Sequence, residues 1–263
     1  MSRYRKYQRK IRRYQKKLSR QKSRFKKKLS DFKRYIYKIG ISSTQDFKLD
    51  KSVNPISFPS HLGVIFVGEF GNDTNLFENI LYNLEKIYPS FFFHVHHLGS
   101  YDFSTEVFSK GIMKELKDIE ESSELLSLHP TNKFHQLIIS KKEQYNLDQI
   151  IAITDLPLYS SSNNNIIFLI GEAHVPHQSC IVSTLKLKET FYDRANNEKL
   201  FEERLNKEII HEIGHLILGI EHCENDLCVM SYSNNIEKID SKSIFLCNEC
   251  RSRLHIVKQQ YNF

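Results

Sequence analysis

Apolar residues are spaced in two ways along this chain, and the spacing predicts where strands and helices alternate. Mostly apolar runs indicate buried strands at 62–70, 91–98, 149–154, 166–170 and 180–187. Apolar residues at steps of three or four, with capping residues, predict helices at 72–89, 105–120, 133–145, 200–218 and 251–257. A helix that joins two buried strands favours a parallel pair, so we expect an α/β fold with a mostly parallel sheet.

The first 40 residues follow the helical spacing with a different composition. One apolar, aromatic-rich seam runs through them at steps of three or four, and only Gln21 interrupts it. Its members are Tyr4, Tyr7, Ile11, Tyr14, Leu18, Phe25, Leu29, Phe32, Ile36 and Ile39. Since no Gly or Pro precedes Gly40, residues 1–40 are predicted to form one long amphipathic helix.

Charge divides the chain at the same place. Residues 1–40 hold eighteen Lys and Arg against the single acid Asp31, a balance of +17. The remaining residues hold twenty basic and thirty acidic residues, a balance of −10. Residues 41–60 contain two prolines and show no clear period, which is typical of a linker. We therefore predict a basic helical tail at 1–40, a linker at 41–60 and a folded domain at 61–263.

The basic tail is compatible with several partners. It could bind nucleic acid through the phosphate backbone, an anionic membrane surface, or an acidic partner helix through its apolar seam. A mitochondrial targeting segment and a merely solubilising arm are the other interpretations. The charge pattern alone favours none of them.

Composition limits the cellular setting. No apolar run approaches the roughly 18 residues that span a membrane, and the charged N-terminus does not resemble a secretory signal. Five cysteines, four of them at zinc-ligand spacing, favour a reducing compartment. We expect an intracellular monomer that is not secreted and is cytoplasmic or nuclear, with mitochondrial import as an alternative.

The clearest chemistry lies near the end of the 200–218 helix. His211 and His215 are four apart, so a helix places both imidazoles on one face, where they can bind one zinc ion at about 2.0–2.1 Å. Glu212 follows about 100° further round, and from there its carboxylate can act as a general base without binding the metal. Gly219 can end the helix and let the chain return, so that His222 supplies a third ligand and leaves a fourth position for water.

Four of the five cysteines indicate a second metal site. Cys223 and Cys228 form one local pair, and Cys247 and Cys250 form a Cys-x-x-Cys pair. Four thiolates in two pairs are the ligand set of a closed, tetrahedral, structural zinc site. A buried helix with ordinary core histidines is the simpler alternative, but it leaves these cysteines unexplained. We predict two zinc ions per chain, one catalytic and one structural, and expect Cys180 to be a buried apolar residue.

Together these residues resemble the signature of the archaemetzincins, which are zinc metallopeptidases of the metzincin clan. The pattern is His-Glu-x-x-His at 211–215, Gly-x-x-His-Cys-x4-Cys-x-Met at 219–230, and Cys-x-x-Cys at 247–250. Further segments that fit lie at 153–156, 171–173, 181–183, 203–208, 240–242 and 245–247. The resemblance therefore covers about residues 60–255.

The resemblance implies more than the spacing does. It implies a five-stranded metzincin-like sheet, in which residues 166–173 would be an antiparallel edge strand that faces the cleft and could pair with an extended peptide. It also implies a C-terminal subdomain around the four-cysteine zinc. Met230 would lie beneath the catalytic metal, in a turn that packs the site without binding the ion. Tyr232, two residues later, could bind the metal or stabilise an oxyanion, although a surface tyrosine is the simpler interpretation.

One residue count departs from the family pattern. Gly219 and His222 come one residue later than the family spacing, as if 216–218 held an insertion. An extra residue in a regular helix rotates all later residues by about 100°, so a strict count puts Glu221 at the third-ligand position. A single-turn helical bulge could absorb the extra residue and keep His222 as the ligand. We prefer His222, because the segment from Gly219 to Cys228 is intact, and Glu221 is the alternative.

The predicted function is zinc-dependent hydrolysis of peptide bonds in a peptide or protein substrate. Glu212 would take a proton from water and pass it to the leaving amine. Two other classes of protein are compatible with the sequence. An inactive zinc-binding scaffold would result if the inserted residue misplaced the third ligand, and a protein that binds nucleic acid or an anionic surface would act through the basic tail.

Overall fold

The computed structural model describes residues 42–44, 56–68, 70, 73–101, 129–156, 158–160, 167–233 and 235–263. The predicted basic tail at 1–40, most of the predicted linker and the helix expected at 105–120 lie outside these residues. The domain boundaries therefore stay predictions. Within the described ranges, every helix is too short or too polar to cross a membrane.

Strands and helices alternate along the described chain. The strands are β1 (Ser42–Thr44), β2 (Ser60–Val67), β3 (Phe92–Tyr101), β4 (His129–Pro130), β5 (Gln149–Thr154), β6 (Leu158–Tyr159), β7 (Ile167–Leu169), β8 (Gly171–His174) and β9 (Ser179–Ser183). The helices are α1 (Asp73–Ile87), α2 (Thr131–Gln144), α3 (Glu198–Leu218), α4 (Ile236–Ser241) and α5 (Asn248–Tyr261). Short 3₁₀ turns follow β8 and β9.

The main sheet has six strands in the spatial order β1-β8-β9-β5-β2-β3. Every neighbouring pair is parallel except β8 with β9, which is antiparallel. The predicted α/β class and mixed, mostly parallel sheet are thus confirmed, with five main strands and the three-residue β1 added at one side. A second, small sheet joins β4, β6 and β7.

The two faces of the main sheet are covered by different helices. On one face, Phe134 and Ile138 of α2 pack in a buried cluster with residues of β2, β5 and β9. Ile181 of β9 belongs to this cluster, so its neighbours Cys180 and Val182 point to the opposite face. Helix α3 contacts β8 and β9 on that opposite face. The continuous apolar runs of β2 and β5 follow from burial on both faces.

The strand predicted at 166–173 differs from expectation in two respects. It is divided, because β7 joins the small sheet and only β8 joins the main one. β8 is antiparallel to β9, as expected, but the expectation that it forms the edge of the sheet is wrong. β1 pairs in parallel with its outer side, with Ser42 opposite Gly171 and Thr44 opposite Ala173. An open edge leaves backbone N–H and C=O groups unpaired, and this upstream segment pairs with them.

Two other boundaries also differ from the predictions. The strand expected at 180–187 ends at Ser183, where the N–H of Thr184 turns to the carbonyl of Thr154 at 2.7 Å and a 3₁₀ turn follows. An apolar run does not distinguish a buried turn from a strand. The final helix is longer than the predicted 251–257 and begins at Asn248, so Cys247 and Cys250 lie at its N-terminal end.

Candidate metal centre and active site

Helix α3 carries three of the predicted site residues. It begins after Asn197, whose side chain accepts the N–H of Leu200 at 3.1 Å and so caps the first turn. His211, Glu212 and His215 are all fully buried, because the last turns of the helix lie between β8 and the loop that follows the helix. Burying three polar side chains on one helix is costly unless each has a partner.

Helix α3 ends at the segment 216–218, where the sequence has one residue more than the family spacing. It is α-helical through Leu218, so the extra residue is not absorbed by a helical bulge in this segment. Gly219 then adopts a φ of 94°, in the region that favours glycine, and its N–H donates to the carbonyl of His215 at 3.1 Å. The extra residue is accommodated at this turn, and the chain folds back over the end of the helix.

The returning chain brings His222 to the two helix histidines. The ligand nitrogens of His211, His215 and His222 all lie within 4.8 Å of one another. Ring centroids are 4.5 Å apart for His211 and His215, 4.8 Å for His215 and His222, and 5.3 Å for His211 and His222. Glu221 is exposed and is not part of this group.

The hydrogen bonds of the imidazoles fit a metal ion. His211 Nδ1 lies 2.7 Å from the Val229 carbonyl, and His215 Nδ1 lies 3.0 Å from the Gly219 carbonyl. A carbonyl can only accept, so both Nδ1 atoms carry the proton and both Nε2 atoms present lone pairs. Yet these two Nε2 atoms are 3.0 Å apart. Two lone pairs facing each other at this distance repel unless a cation binds both.

The electrostatics of the three histidines agree with this interpretation. Burial lowers the pKa of His211 well below its usual value of 6.5, and burial lowers the pKa of His215 to about 3. Burial also lowers the pKa of His222, whose Nε2 is buried without a hydrogen-bond partner among the described residues. All three imidazoles are therefore neutral near pH 7, which is the form that binds a metal.

Glu212 lies between the helix and the sheet. A Cβ atom placed on Gly171 would lie 2.8 Å from the Glu212 carboxyl carbon, closer than real Cβ atoms approach. The glycine at the start of β8 therefore leaves the space that the carboxylate occupies. Glu212 directly follows His211 on α3, and its carboxylate lies where this helix packs against β8.

Met230 lies two residues after Cys228 and packs against α3 at Gly214, the residue before His215. It is almost fully buried, and its sulfur lies against the position that a Cβ of Gly214 would occupy. The Tyr88 hydroxyl, which donates to the carbonyl of Ile210 at 2.8 Å, lies 3.9 Å from the same sulfur. Tyr232 is partly exposed, and its ring centroid lies 5.2 Å from that of His222.

The four cysteines form a second compact group beside the first. Their sulfur atoms all lie within 4.8 Å of one another, and all four thiols are free. Cys223 Sγ and Cys247 Sγ are 3.5 Å apart, much longer than the roughly 2.05 Å of a disulfide bond. The N–H of Cys247 also points at Cys228 Sγ, at 3.3 Å.

The thiols of this group influence one another electrostatically. Burial raises the pKa of Cys223 to about 11 and also raises the pKa of Cys250. For Cys247 burial acts in the same direction, but the backbone N–H of Cys250 and the neighbouring thiols outweigh it and lower the pKa. A bound cation would deprotonate all four thiols, since metal-bound sulfur is a thiolate.

The two groups are connected by the backbone. His222 and Cys223 are adjacent, and the N–H of Cys223 donates to the carbonyl of Met230 at 2.9 Å. The N–H of Ser231 in turn donates to the carbonyl of Cys228 at 3.0 Å. A change at the cysteines is therefore transmitted to the third histidine.

Sequence reasoning missed the groups that orient the histidines. The carbonyls of Val229 and Gly219 carry no side-chain signal, and Gly171 was noticed only as part of the resemblance. It also missed a buried network behind β8, in which His135 Nε2 lies 3.3 Å from Glu172 Oε1 with both side chains fully buried. His174, on the same strand as Glu172, is also fully buried.

Comparison with known proteins identifies the family. Residues 103–256 match the profile of peptidase family M54, which is more than half of the chain. The chain belongs to peptidase family M54. The resemblance to the archaemetzincins and the assignment to the metallopeptidases are thus confirmed.

Three curated relatives of this M54 protein come from archaea. It is 35% identical to the archaemetzincin of Methanocaldococcus jannaschii over 122 residues, which are 46% of this chain and 66% of the relative. It is 36% identical to that of Sulfolobus acidocaldarius over 125 residues, 48% of this chain and 67% of the relative. It is 38% identical to that of Thermococcus kodakarensis over 104 residues, which are 40% of this chain and 54% of the relative. The matched part spans about half to two thirds of these relatives.

Solved archaemetzincins share the fold of this M54 protein. That of Methanopyrus kandleri aligns with a TM-score of 0.55 at 20% identity, over 76% of this chain and 96% of the other. That of Archaeoglobus fulgidus, complexed with malonate, aligns with a TM-score of 0.50 at 23% identity, over 73% of this chain and 99% of the other. At this identity the likeness concerns the fold, and it supports the mixed sheet and its helices.

Proposed function

We propose that this protein is a zinc-dependent peptidase that hydrolyses peptide bonds at the histidine cluster. The observation that carries the proposal is the pair of Nε2 atoms of His211 and His215, which face each other with both Nδ1 protons directed to carbonyls. Such a pair requires a cation, and three histidines that leave a fourth position open are a ligand set of catalytic zinc. Membership of peptidase family M54 supports the same activity.

Each side chain has a distinct role in the proposed reaction. When bound, zinc lowers the pKa of a water molecule to about 7 and polarises the scissile carbonyl. Glu212 accepts the proton from the attacking water and returns it to the leaving amine, which needs a carboxylate close to the histidines but outside the ligand set. Gly171 keeps the space for that carboxylate. Met230 packs under the ligands and binds nothing.

We propose His222, and not Glu221, as the third ligand. The His222 ring lies with the other two, and its buried Nε2 has no other partner in the described chain, whereas Glu221 is exposed. This geometry also favours an active enzyme over an inactive scaffold, because the inserted residue does not separate His222 from the helix.

We further propose a second, structural zinc at the four cysteines. Four sulfurs within 4.8 Å complete a tetrahedral shell and leave no position for water or substrate. The protein would then hold two zinc ions per chain, of which only one takes part in hydrolysis. A nucleic-acid-binding role would depend on the basic tail and not on either metal site.

The test is Glu212→Gln, which keeps the shape of the side chain and removes its basicity. We expect hydrolysis of a fluorogenic peptide library to fall by about 10²–10⁴-fold while both zinc ions stay bound. Glu203→Gln, an exposed glutamate on the same helix, is the matched control and should leave turnover unchanged. If the Glu212 variant hydrolyses peptides at the wild-type rate, Glu212 is not the base and the proposed mechanism is wrong.

A further inference from the structure

A buried lysine lies behind the histidine cluster, in a position that the proposed reaction does not use. Lys242 follows α4, and its side chain is 1% exposed. Its ammonium nitrogen lies 3.7 Å from Glu208 Oε1, which is equally buried, and 3.4 Å from the carbonyl oxygen of Val229. A buried ammonium group is costly and needs a reason to be there.

The Val229 carbonyl connects this lysine to the first histidine. The same oxygen accepts the Nδ1–H of His211 at 2.7 Å. A carbonyl oxygen has two lone pairs, so the imidazole and the ammonium group can both donate to it. With two donors and a buried backbone, the direction of this carbonyl is fixed, and the plane of the His211 ring is fixed with it.

We propose that Lys242 is a positioning residue of the histidine site, which holds the Val229 carbonyl so that His211 presents Nε2 to the metal. The inference rests on the proposed function, since it takes His211 to be a zinc ligand. It goes further by assigning a role to a residue outside the ligand set. Groups that orient metal-binding histidines are usually carboxylates, carbonyls or water, and here a carbonyl is itself held by a charged side chain.

Glu208 explains how the site tolerates this charge. It lies on α3, three residues before His211, and its carboxylate balances the ammonium group of Lys242. Burial raises the pKa of Glu208, and the nearby Lys242 opposes that change. The Lys242 charge also adds to burial in lowering the pKa of His211, His215 and His222, which keeps the imidazoles neutral.

The test must remove the hydrogen bond without leaving an isolated buried charge. Lys242→Met alone would leave the buried Glu208 carboxylate without its ion-pair partner, and removing one member of a buried ion pair is strongly destabilising. The double variant Lys242→Met/Glu208→Gln removes both charges and leaves the net charge unchanged. Lys207→Met/Glu203→Gln is the matched control. It also removes one lysine and one glutamate, but Lys207 donates to the carbonyls of α4 and not to Val229.

The cysteine site serves as an internal reference in the same chain. We would load full-length protein with Co²⁺ or Zn²⁺ and titrate each site against a chelator, following thiolate-to-cobalt charge transfer for the cysteines and ligand-field bands for the histidines. The expected result is a metal affinity of the histidine site about 10–100-fold weaker in the Lys242→Met/Glu208→Gln variant, as for other groups that orient ligands. Its ligand-field bands should shift, while the cysteine site matches the control.

Two results would overturn the inference. One is a histidine site with the same affinity in the Lys242 variant and in the control, because the carbonyl then needs no second donor. The other is an equal loss of affinity at both sites, because Lys242 would then support the fold in general. A wild-type protein that binds metal only at the cysteines would instead contradict the proposed function, so the two failures are distinguishable.

Discussion

The histidine and cysteine clusters lie within 40 residues of sequence, yet they are assembled differently. The cysteine cluster draws all four sulfurs from a loop and the N-terminal end of α5, so a short stretch of chain completes it. The histidine cluster has three imidazoles and depends on distant groups, among them the glycine of β8 that makes room for Glu212. A closed site can be formed locally, whereas a site with an open position needs the surrounding fold to shape that opening.

The two clusters nevertheless depend on each other through one peptide bond. His222 and Cys223 are adjacent, so the loop that the cysteines hold also positions the third histidine. We expect this dependence to be one-sided. Loss of the cysteine site should disturb the histidine site, while loss of one histidine should leave the cysteines in place.

The largest effect on zinc content and stability is expected from disrupting the cysteine site. Cys228→Ser should release both zinc ions and unfold the segment after α3, because binding of a structural metal is coupled to folding. Zinc content per chain and the thermal midpoint would measure this. Cys180→Ala is the matched control, since Cys180 is equally buried but lies on β9 outside the cluster. A Cys228→Ser protein that keeps both zincs and its thermal midpoint would contradict the one-sided dependence.

The next effect separates the two candidates for the third ligand. His222→Ala should lose one zinc and all measurable hydrolysis but keep the cysteine-bound zinc, because the turn at Gly219 is unchanged. Glu221→Ala should keep both zincs and wild-type activity, since its side chain is exposed. The readouts are zinc content and turnover for both variants. If the Glu221 variant loses zinc and the His222 variant does not, the third ligand is wrongly assigned.

A smaller effect should come from the sheet side of the histidine site. Gly171→Ala places a methyl group against the Glu212 carboxylate, which must move, and a displacement of about 1 Å can cost about 10²-fold in rate. We expect kcat to fall while both zincs stay bound and KM changes little. Ala173→Gly, on the same face of β8, controls for weakening of the strand. An unchanged kcat for Gly171→Ala would show that the base does not need this space.

The smallest effect on catalysis should come from the basic tail. Deleting residues 1–40 is expected to leave zinc content and turnover unchanged, because every proposed site residue follows residue 60. At about 0.15 M salt charges are screened over about 8 Å, so the +17 segment can act only by close docking to an anionic partner. Binding to nucleic acid, to anionic vesicles and to an acidic helical peptide should be compared at several salt concentrations. Truncated protein that binds both zincs but is inactive would make the tail part of the active site.

The sequence was most informative where periodicity and ligand spacing agreed. The apolar runs predicted β2 and β5 closely, because strands buried on both faces are apolar throughout. The spacing of His211 and His215 needs only a helix to bring both rings to one face. The cysteine pairs are likewise local, so their grouping requires little knowledge of the rest of the fold.

Local pattern was least informative where a backbone conformation or a distant segment decided the outcome. The family resemblance placed β8 at the edge of the sheet, although β1 pairs with it from more than a hundred residues upstream. A count along the helix also left Glu221 and His222 as alternatives for the third ligand, because it cannot show which side chain the turn at Gly219 directs to the helix histidines. Lys242 was noticed only as a matching residue, since nothing in the sequence shows that its side chain reaches Val229.

The sequence by itself thus determined the α/β class, the family and the kinds of residue available for metal binding, because these depend on periodicity and on spacing within a few turns. Only the tertiary structure decided that His222 joins the two helix histidines, that Gly171 makes room for Glu212, and that Lys242 holds a carbonyl behind His211. Those arrangements depend on contacts between segments far apart in the chain. The packing of α3 against the sheet and the loop sets the distances between these side chains, and this packing cannot be predicted from a local sequence pattern.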